Sequence, residues 1–534
     1  MLRSSIARLA VTLLLLVGAV SAASAPGAAV FGPTDAITIA GLRRHLNFVA
    51  SDALEGRDAL SPGFRAAAEY IASTLDRIGA MPAGDTGTYF QHLAIRRTTV
   101  DPEHSTVALG DRHYKYGDDF LVASAGTAAG EPVYVGQGWR IPSRKVDPYA
   151  GLDVNGRMLV VLHGPANLDL ARSDYTTAQE NARSLGARGV VTVASFQGLA
   201  AWTRAKDLAS RGSLELDRLA AAESMPAIVA APSLVADLFR GEQEDGARIA
   251  QRATARDPGE SFAFKPGKLL SLNLAAARTL EDTMNVVAVI EGSDPVLRHE
   301  YVALGAHLDH LGRNPPPQMV GPRQPGGDDI YNGADDDGSG VVALLSMAEA
   351  VAAGPRPRRS LLFVWHTGEE WGSWGAKYFT AFPTVPLDHI VAQLNVDMIG
   401  RSRPADDTSQ EDAVLSGPDE VYIVGSRKLS QDFGDTCAEV DRTFLGLSLN
   451  YKYDKPDDPE RIYERSDHYE YARKGIPVAF YFTGLHRDYH EPSDEVTRID
   501  FDKLQRVSRT ILATAWTLAN RDERPRLDRP ASTH

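Results

Sequence analysis

The chain has 534 residues, of which 43% are hydrophobic and 24% are charged, a composition that is ordinary for a globular protein and excludes a mostly disordered one. This length exceeds what one small core needs and favours two domains. The formal net charge is −14, from 56 basic and 70 acidic residues, and without clustered Lys and Arg we expect no nucleic-acid partner.

The first 25 residues have the pattern of a secretory signal peptide. Arg3 and Arg8 precede an apolar stretch over 9–20, and small residues follow to Ala25. The stretch is short for a membrane span, which needs about 20 apolar residues, so we expect no stable membrane insertion after cleavage. An uncleaved anchor is the alternative. The pattern predicts export to the periplasm or the extracellular medium.

Cys437 is the only cysteine of the chain, so an internal disulfide is excluded. We interpret it as a core residue of a helix. An exported protein without disulfides must draw its stability from core size and bound metals.

Helical spacing of apolar residues dominates the next segment. It predicts helices within 36–78, closed by Gly79 and interrupted by a polar turn at 52–57. Residues from about 100 to 127 have the pattern of short strands with Gly and Asp turns.

The pattern changes near residue 130. Strand-like runs at 132–136, 157–162 and 190–193 surround a helical stretch at 178–185. We find no cluster of metal-binding type there. These features predict an inserted module of roughly 140 residues over 129–265.

From residue 285 onward strands and helices alternate. Strand candidates are 286–291, 301–306, 360–365, 390–396, 420–424 and 477–482, and helical stretches are 339–353, 426–440, 466–474 and 500–519. This alternation predicts an α/β fold with a mostly parallel mixed sheet covered by helices on both faces. Ligands gather at the carboxyl ends of the strands in such sheets.

Candidate metal ligands lie at or just beyond these strand ends. His307 ends the run 301–306, and Asp309 lies two residues on, where its carboxylate could orient the imidazole. His310 is a competing ligand, ranked below His307 because only His307 caps the strand directly. An isolated histidine at a strand end would more simply be structural.

Three consecutive carboxylates, Asp335, Asp336 and Asp337, lie between glycines before a helix. They repel one another unless cations lie among them, although Asp is also favourable at a helix start. Asp336, in the middle, is the candidate bridge between two metals. Glu369 and Glu370 follow an apolar strand, and because adjacent side chains point different ways, one can bind metal while the other faces substrate.

Asp397 closes a run too apolar to carry a solvent-exposed carboxylate, which favours a ligand role. His490 lies in a polar segment that ends in Asp494. His486 precedes it by four residues, but Gly484 and Pro492 argue against a helix, so His490 is preferred. Two imidazoles and three carboxylates can hold two divalent cations, and Glu369 can transfer a proton. This set predicts a two-metal hydrolase.

At the motifs GAHLDHLG, NGADDDGSG, HTGEEWG, LNVDMIG and DYHEPSDE the chain resembles the M28 family of metallopeptidases, the secreted zinc aminopeptidases. The resemblance covers about 280–520 and the amino-terminal helices with their Glu55-Gly56-Arg57 turn. It implies a zinc-peptidase (phosphorylase/hydrolase-like) domain over 35–128 and 266–522. The insertion at 129–265 resembles a protease-associated (PA) domain, smaller and β-rich. A signal peptide over 1–25 and a disordered tail over 523–534 complete the predicted organisation.

The resemblance also implies roles for individual residues. One Zn²⁺ would be held by His307 and Asp397, a second by Glu370 and His490, and Asp336 would bridge the two ions. The Asp336–Asp337 peptide would be cis. Glu369 would be the general base. Tyr463 would help to stabilise the oxyanion. Three further carboxylates are expected to orient the metal ligands: Asp309, Asp337 and Asp494.

The resemblance implies hydrolysis of peptide substrates, with an aminopeptidase as the leading interpretation. A carboxypeptidase or dipeptidase on the same scaffold is an alternative, and a glutaminyl cyclase is disfavoured because two full metal positions are intact. A receptor-like binding protein without catalysis is the alternative from another class. The side-chain preference, the native metal and the oligomeric state stay open.

Overall fold

The computed structural model describes residues 30–164, 170, 174–220, 225–316, 319–320, 327–455 and 458–528. The predicted signal peptide, 1–25, lies outside these residues. Among the described helices, none combines the length and hydropathy that a membrane span requires.

Strands and helices alternate most regularly after residue 285. The helices are α1 (Ile39–Val49), α2 (Pro62–Arg77), α3 (Ala178–Ser184), α4 (Phe196–Ala200), α5 (Trp202–Arg211), α6 (Pro232–Leu238), α7 (Gly246–Ala255), α8 (Gly338–Ala353), α9 (Trp374–Ala381), α10 (Gln431–Phe444), α11 (His468–Ala472) and α12 (Phe501–Asn520). The strands are β1 (Met81–Pro82), β2 (Phe90–Val100), β3 (Thr106–Leu109), β4 (Arg112–Tyr114), β5 (Phe120–Ser124), β6 (Gly126–Gly130), β7 (Pro132–Tyr134), β8 (Met158–Val161), β9 (Gly189–Val193), β10 (Ser213–Leu216), β11 (Ala227–Ala230), β12 (Phe262–Ala263), β13 (Leu270–Leu274), β14 (Ala276–Ile290), β15 (Tyr301–His307), β16 (Gly312–Arg313), β17 (Ile330–Tyr331), β18 (Ser360–His366), β19 (Ile390–Val396), β20 (Glu420–Val424), β21 (Ser448–Asn450) and β22 (Val478–Phe482).

A ten-stranded sheet organises the larger part of the chain. Its order is β10-β2-β14-β18-β15-β19-β22-β20-β21, and β1 pairs with β14. The four central strands β18, β15, β19 and β22 are mutually parallel. In the described part of the chain, however, five of the nine pairings in this sheet are antiparallel, so the prediction of a mostly parallel sheet is wrong outside its centre.

The antiparallel share comes largely from β14. The sequence predicts a strand only over its apolar end, but the strand begins at Ala276 and pairs with β2 over eleven positions, Ala276↔Val100 to Val286↔Phe90. Its first half is half-buried or exposed, so it carries no apolar run that a sequence pattern could detect.

Helices pack on both faces of this sheet, as predicted. Alternate residues of β18 point to opposite faces: Leu361 and Phe363 join a core with α1, α2, α8 and α12, whereas Leu362 and Val364 pack with α9 and α11. Near-continuous apolar strands follow from this burial on both sides.

A second body is built around two smaller sheets. One has the order β12-β7-β8-β9-β11-β5, and the other has the order β4-β3-β13-β6. Strands at 106–130 and 270–274, which the sequence predicted in the larger domain, belong to these sheets. The second body therefore extends beyond the predicted limits of the insertion, 129–265. Conversely β10, inside the predicted insertion, pairs with β2 of the large sheet. The PA resemblance of this body stays a prediction.

The predicted disordered tail is wrong for residues 523–528. The guanidinium of Arg524 donates to Glu300 at 2.8 Å and to the Asp388 carbonyl at 2.8 Å, and the Asp528 N–H donates to the Leu429 carbonyl at 2.9 Å. These contacts hold residues 523–528 against the part of the chain that surrounds the ten-stranded sheet. Residues 529–534 lie outside the described part.

Candidate metal centre

The predicted ligands converge at the carboxyl ends of the central strands. His307 is the last residue of β15, Asp397 follows β19, and Glu369 and Glu370 follow β18 after a short turn. Because these strands are parallel, their carboxyl ends meet at one edge of the sheet. Asp336 precedes α8 and His490 follows β22, so loops bring them to the same edge.

Two groups of donor atoms form there, and both contain Asp336. One consists of His307, Asp336 and Asp397, and the other of His310, Asp336 and Glu370. Asp336 Oδ1 lies 3.1 Å from His307 Nε2 of the first group, and Asp336 Oδ2 lies 3.8 Å from His310 Nδ1 of the second. His490, a predicted ligand outside both groups, has its Nε2 atom 3.3 Å from the same Oδ2. The carboxylate of Asp336 therefore lies between the two groups, one oxygen toward each.

Backbone carbonyls fix the ring orientation of the two predicted histidine ligands. His307 Nδ1 lies 3.0 Å from the Asp309 carbonyl oxygen, and His490 Nδ1 lies 2.8 Å from the Met319 carbonyl oxygen. With Nδ1–H donating, the Nε2 atom of each ring is left as a metal donor. For His307 the carbonyl of Asp309, at 3.0 Å, is nearer than the expected carboxylate, at 3.9 Å.

The Asp309 carboxylate instead supports the following glutamates. It accepts hydrogen bonds from the backbone N–H groups of Glu369, at 3.1 Å, and Glu370, at 3.4 Å. Burial raises the pKa of Asp309 to about 7, with His307 opposing this. The residue positions the loop that carries Glu369 and Glu370.

The three consecutive aspartates point in different directions, which explains how they coexist. Asp335 accepts from the Gly400 N–H at 2.6 Å. Asp337 accepts from the His307 N–H at 3.1 Å and from the Gly340 N–H at 2.9 Å, which caps α8. Only Asp336 faces the donor groups, and the Asp336–Asp337 peptide is cis.

Asp494 anchors this loop from the other side. Its carboxylate accepts from the backbone N–H groups of Asp335, at 3.0 Å, and Asp336, at 3.1 Å. Burial raises the pKa of Asp494 to about 6, while His486 acts in the opposite direction. His486 lies 3.3 Å from Asp335 and belongs to neither donor group among the described residues.

A pocket opens onto the His307 side of this centre. Its polar lining is His307, Asp336, Glu369, Asp397, Ser466 and Arg465; its apolar and aromatic lining is Met398, Ile462, Phe480, Phe482, Leu485 and Tyr489. Burial raises the pKa of Glu369 well above its ordinary value; His307 opposes the shift and Glu370 adds to it. A carboxylate with a raised pKa facing a pocket suits proton transfer.

Tyr463 is absent from the lining of this pocket. Its ring packs on His468 at 5.7 Å between centroids, and Lys428 Nζ lies 4.9 Å above it. Tyr489 lines the pocket instead and stacks on His490 at 3.9 Å. Its position directly before a predicted ligand was the available signal.

Ser466 and His310 also lie at this centre, where Ser466 contacts Asp397 and His310 lies beside Glu370. Ser466 Oγ donates to Asp397 Oδ2 at 2.7 Å and accepts from Asn395 Nδ2 at 2.9 Å, which holds the Asp397 carboxylate in place. His310, ranked second as a ligand, lies within a donor group. His310 directly follows Asp309, and this was the available sequence signal. Position at a strand end could not by itself decide between His307 and His310 as ligands.

The donor atoms fit divalent cations. Among the described residues, His310 Nδ1, Glu370 Oε1 and His490 Nε2 are buried without a hydrogen-bond partner, although they lie close together. Buried polar atoms left unpaired cost free energy, and a cation between them removes that cost. Imidazole with carboxylate oxygen is a donor set that zinc accepts.

Comparison with known proteins gives matches to a peptidase family, to metalloproteases and to aminopeptidases. Residues 285–515 match the model of Peptidase family M28. A probable zinc metalloprotease of Pyrenophora tritici-repentis is 26% identical over 226 residues, 36% of this chain and 45% of that protein. A probable leucine aminopeptidase 2 of Aspergillus fumigatus is 25% identical over 262 residues, 45% of this chain and 44% of that protein.

The matches to curated relatives span just under half of the relatives' length. Among solved structures, an aminopeptidase from Aneurinibacillus sp. strain AM-1 is similar with a TM-score of 0.51 and 18% identity, over 93% of this chain and 97% of that one. This last similarity concerns the fold: a mixed α/β sheet flanked by helices.

Proposed function

We propose that the protein is an exported two-zinc exopeptidase that hydrolyses peptide bonds, with an aminopeptidase as its activity. The observation that carries the proposal is the shared carboxylate of Asp336, 3.1 Å from His307 and 3.3 Å from His490, beside a pocket lined by Glu369. The match to Peptidase family M28 supports peptide-bond chemistry. The pattern of residues 1–25 supports export.

The ligand assignment keeps the first donor group as it stands and, in the second, places His490 where that group has His310. His307 and Asp397 would hold one zinc, Glu370 and His490 the other, and Asp336 both. When bound, the cations would polarise the scissile carbonyl and lower the pKa of the attacking water. Glu369 would accept that water's proton and return it to the leaving amine.

The pocket supports a preference for apolar side chains at the cleaved residue. Met398, Phe480 and Phe482 are buried apolar residues of its lining, and burying an apolar side chain against them is favourable by about 1.5–3 kcal/mol. We assign support of the oxyanion to the Tyr489 hydroxyl, since this phenol lines the pocket; the role implied for Tyr463 is the alternative.

A carboxypeptidase or dipeptidase is the second candidate because of Arg465. This exposed side chain lines the pocket, and its guanidinium donates to the Tyr489 hydroxyl at 3.4 Å. A guanidinium at a pocket is suited to bind a carboxylate, such as a peptide's free carboxyl terminus.

A substrate panel with and without chelator tests these proposals. We expect hydrolysis of aminoacyl amides with a free amino group and apolar side chains, loss on blocking the amine, and loss after chelation that zinc restores. Cleavage that requires a free carboxyl terminus, and that falls in Arg465→Gln, would favour the second candidate. A protein that binds no zinc and cleaves no peptide would favour the receptor-like alternative.

A further inference from the structure

His310 is a buried imidazole that the ligand assignment above leaves unused. Its side chain is 0% exposed, and both ring nitrogens lack a hydrogen-bond partner among the described residues. Nδ1 lies only 2.7 Å from Glu370 Oε1, but the two atoms are not oriented as a hydrogen bond. An imidazole buried in this way needs another partner for its ring nitrogens.

Three distances between the surrounding donor atoms are near those expected around one tetrahedral cation. His310 Nδ1 lies 3.8 Å from Asp336 Oδ2, while His490 Nε2 lies 3.3 Å from the same oxygen and 3.1 Å from Glu370 Oε2. Ligand atoms around a tetrahedral zinc with bonds of 2.0–2.2 Å are about 3.4 Å apart. The Glu370 carboxylate thus lies between two imidazoles, with one oxygen toward each.

The backbone around His310 holds its ring in this position. The His310 N–H donates to the Arg57 carbonyl at 3.2 Å. Gly333 leaves room for the ring, since a Cβ at this glycine would lie 2.5 Å from the ring carbons of His310. Gly333 also has φ +56, a conformation that glycine adopts without strain.

We propose that His310 is a fourth protein ligand of one cation, together with Asp336, Glu370 and His490, whereas the cation at His307, Asp336 and Asp397 has three. This inference rests on the two-zinc centre of the proposed function and deepens it. Sites with four protein ligands are typically structural, and sites with three leave a position open. His307, Asp336 and Asp397 line the pocket beside Glu369, so the open position would face the substrate.

Zinc X-ray absorption on the full wild-type protein counts the imidazoles directly. With His307, His310 and His490 all bound, the average is about 1.5 imidazoles per zinc, and without His310 it is about 1.0. This measurement requires no variant to fold.

Competition titration with a chromophoric chelator gives the second readout, on His310→Gln and on the matched control His486→Gln. His486 is a buried histidine 3.3 Å from Asp335 and outside both donor groups. We expect His310→Gln to retain about one zinc ion per chain, whereas the wild type and His486→Gln retain two. Loss of a residue that only contacts a ligand lowers metal affinity by about 10–100-fold, and we expect a larger loss of affinity for the second zinc in His310→Gln. Circular dichroism of the zinc-free variants verifies folding.

Two failures are distinguishable. The His310 assignment alone would be overturned if the wild type binds two zinc ions with about 1.0 imidazole per zinc, and if His310→Gln binds both ions with affinities within about 100-fold of the wild type's. A wild type that binds no zinc and cleaves no peptide would overturn the proposed function, and the assignment with it.

Discussion

The guanidinium of Arg57 donates a hydrogen bond to the carbonyl of Gly333 at 2.7 Å, across 276 residues of sequence. It also donates to the carbonyls of Leu308, at 2.8 Å, and Asp336, at 3.2 Å. One fully buried cation therefore joins the loop after His307 to the loop that carries Asp336. Burial lowers the pKa of Arg57, and the carboxylates of Asp336 and Asp337 oppose that shift.

Replacing Arg57 should weaken both the fold and the metal centre. Arg57→Met leaves several buried carbonyls unpaired, and we expect a loss of about 3 kcal/mol or more in the free energy of unfolding. Zinc affinity should fall with it. Urea unfolding and chelator titration measure the two quantities. Arg65→Met, a half-exposed arginine that also donates to a backbone carbonyl, is the control; equal losses in both variants would contradict the bridging role.

Glu369→Gln should retain zinc but lose turnover. The amide cannot accept the water's proton, so we expect kcat to fall by about 10²–10⁴-fold, with both zinc ions still present by metal analysis. Glu370→Gln is the informative comparison, because it replaces a donor atom and should lose zinc as well. Full turnover by Glu369→Gln would remove this residue from the proton transfer.

The two tyrosines can be separated by the same conservative change. We expect Tyr489→Phe to lower kcat by about 10-fold or more while Tyr463→Phe retains it, since Tyr489 lines the pocket and Tyr463 does not. Initial rates on one aminoacyl amide measure both. The reverse order of effects would return the oxyanion role to Tyr463.

Acid should remove a specific contribution to stability at Glu349. A hydrogen bond with the His45 ring, supported by one from Arg77 and opposed by burial, lowers the pKa of Glu349 from 4.5 to about 2. Because the folded pKa is the lower one, this contribution is complete above pH 4.5 and is lost as the pH falls toward 2.

Comparison with Glu349→Gln measures the contribution of the Glu349 carboxylate to the free energy of unfolding. The wild type should exceed the variant by about 1 kcal/mol in the free energy of unfolding near pH 6, and the difference should shrink as the pH is lowered to about 3.5. Urea titrations of both proteins across this range measure it. A difference that is constant with pH would show that the hydrogen bonds do not depend on the ionised carboxylate.

The sequence by itself determined the central strands, the flanking helices and the positions of the ligand candidates. Burial on both faces forces continuous apolar runs in β15, β18 and β19, and polar residues that follow such runs are conspicuous. His307, Asp397 and the two glutamates could be found in this way because each lies at or just beyond the end of a buried strand.

Only the tertiary structure decided the contacts that depend on chain segments distant in sequence. Pairing with β2 holds the half-exposed first part of β14 in the sheet. The N–H groups of Gly400 and His307 bind Asp335 and Asp337, which turns these two carboxylates away from Asp336. The absence of a side chain at Gly333 leaves space for the His310 ring. Tyr489 directly precedes a predicted ligand in the sequence, but only folding places it in the pocket lining and leaves Tyr463 out of that lining. Periodicity reports burial along one segment, whereas a pocket is made by segments that meet only after the chain has folded.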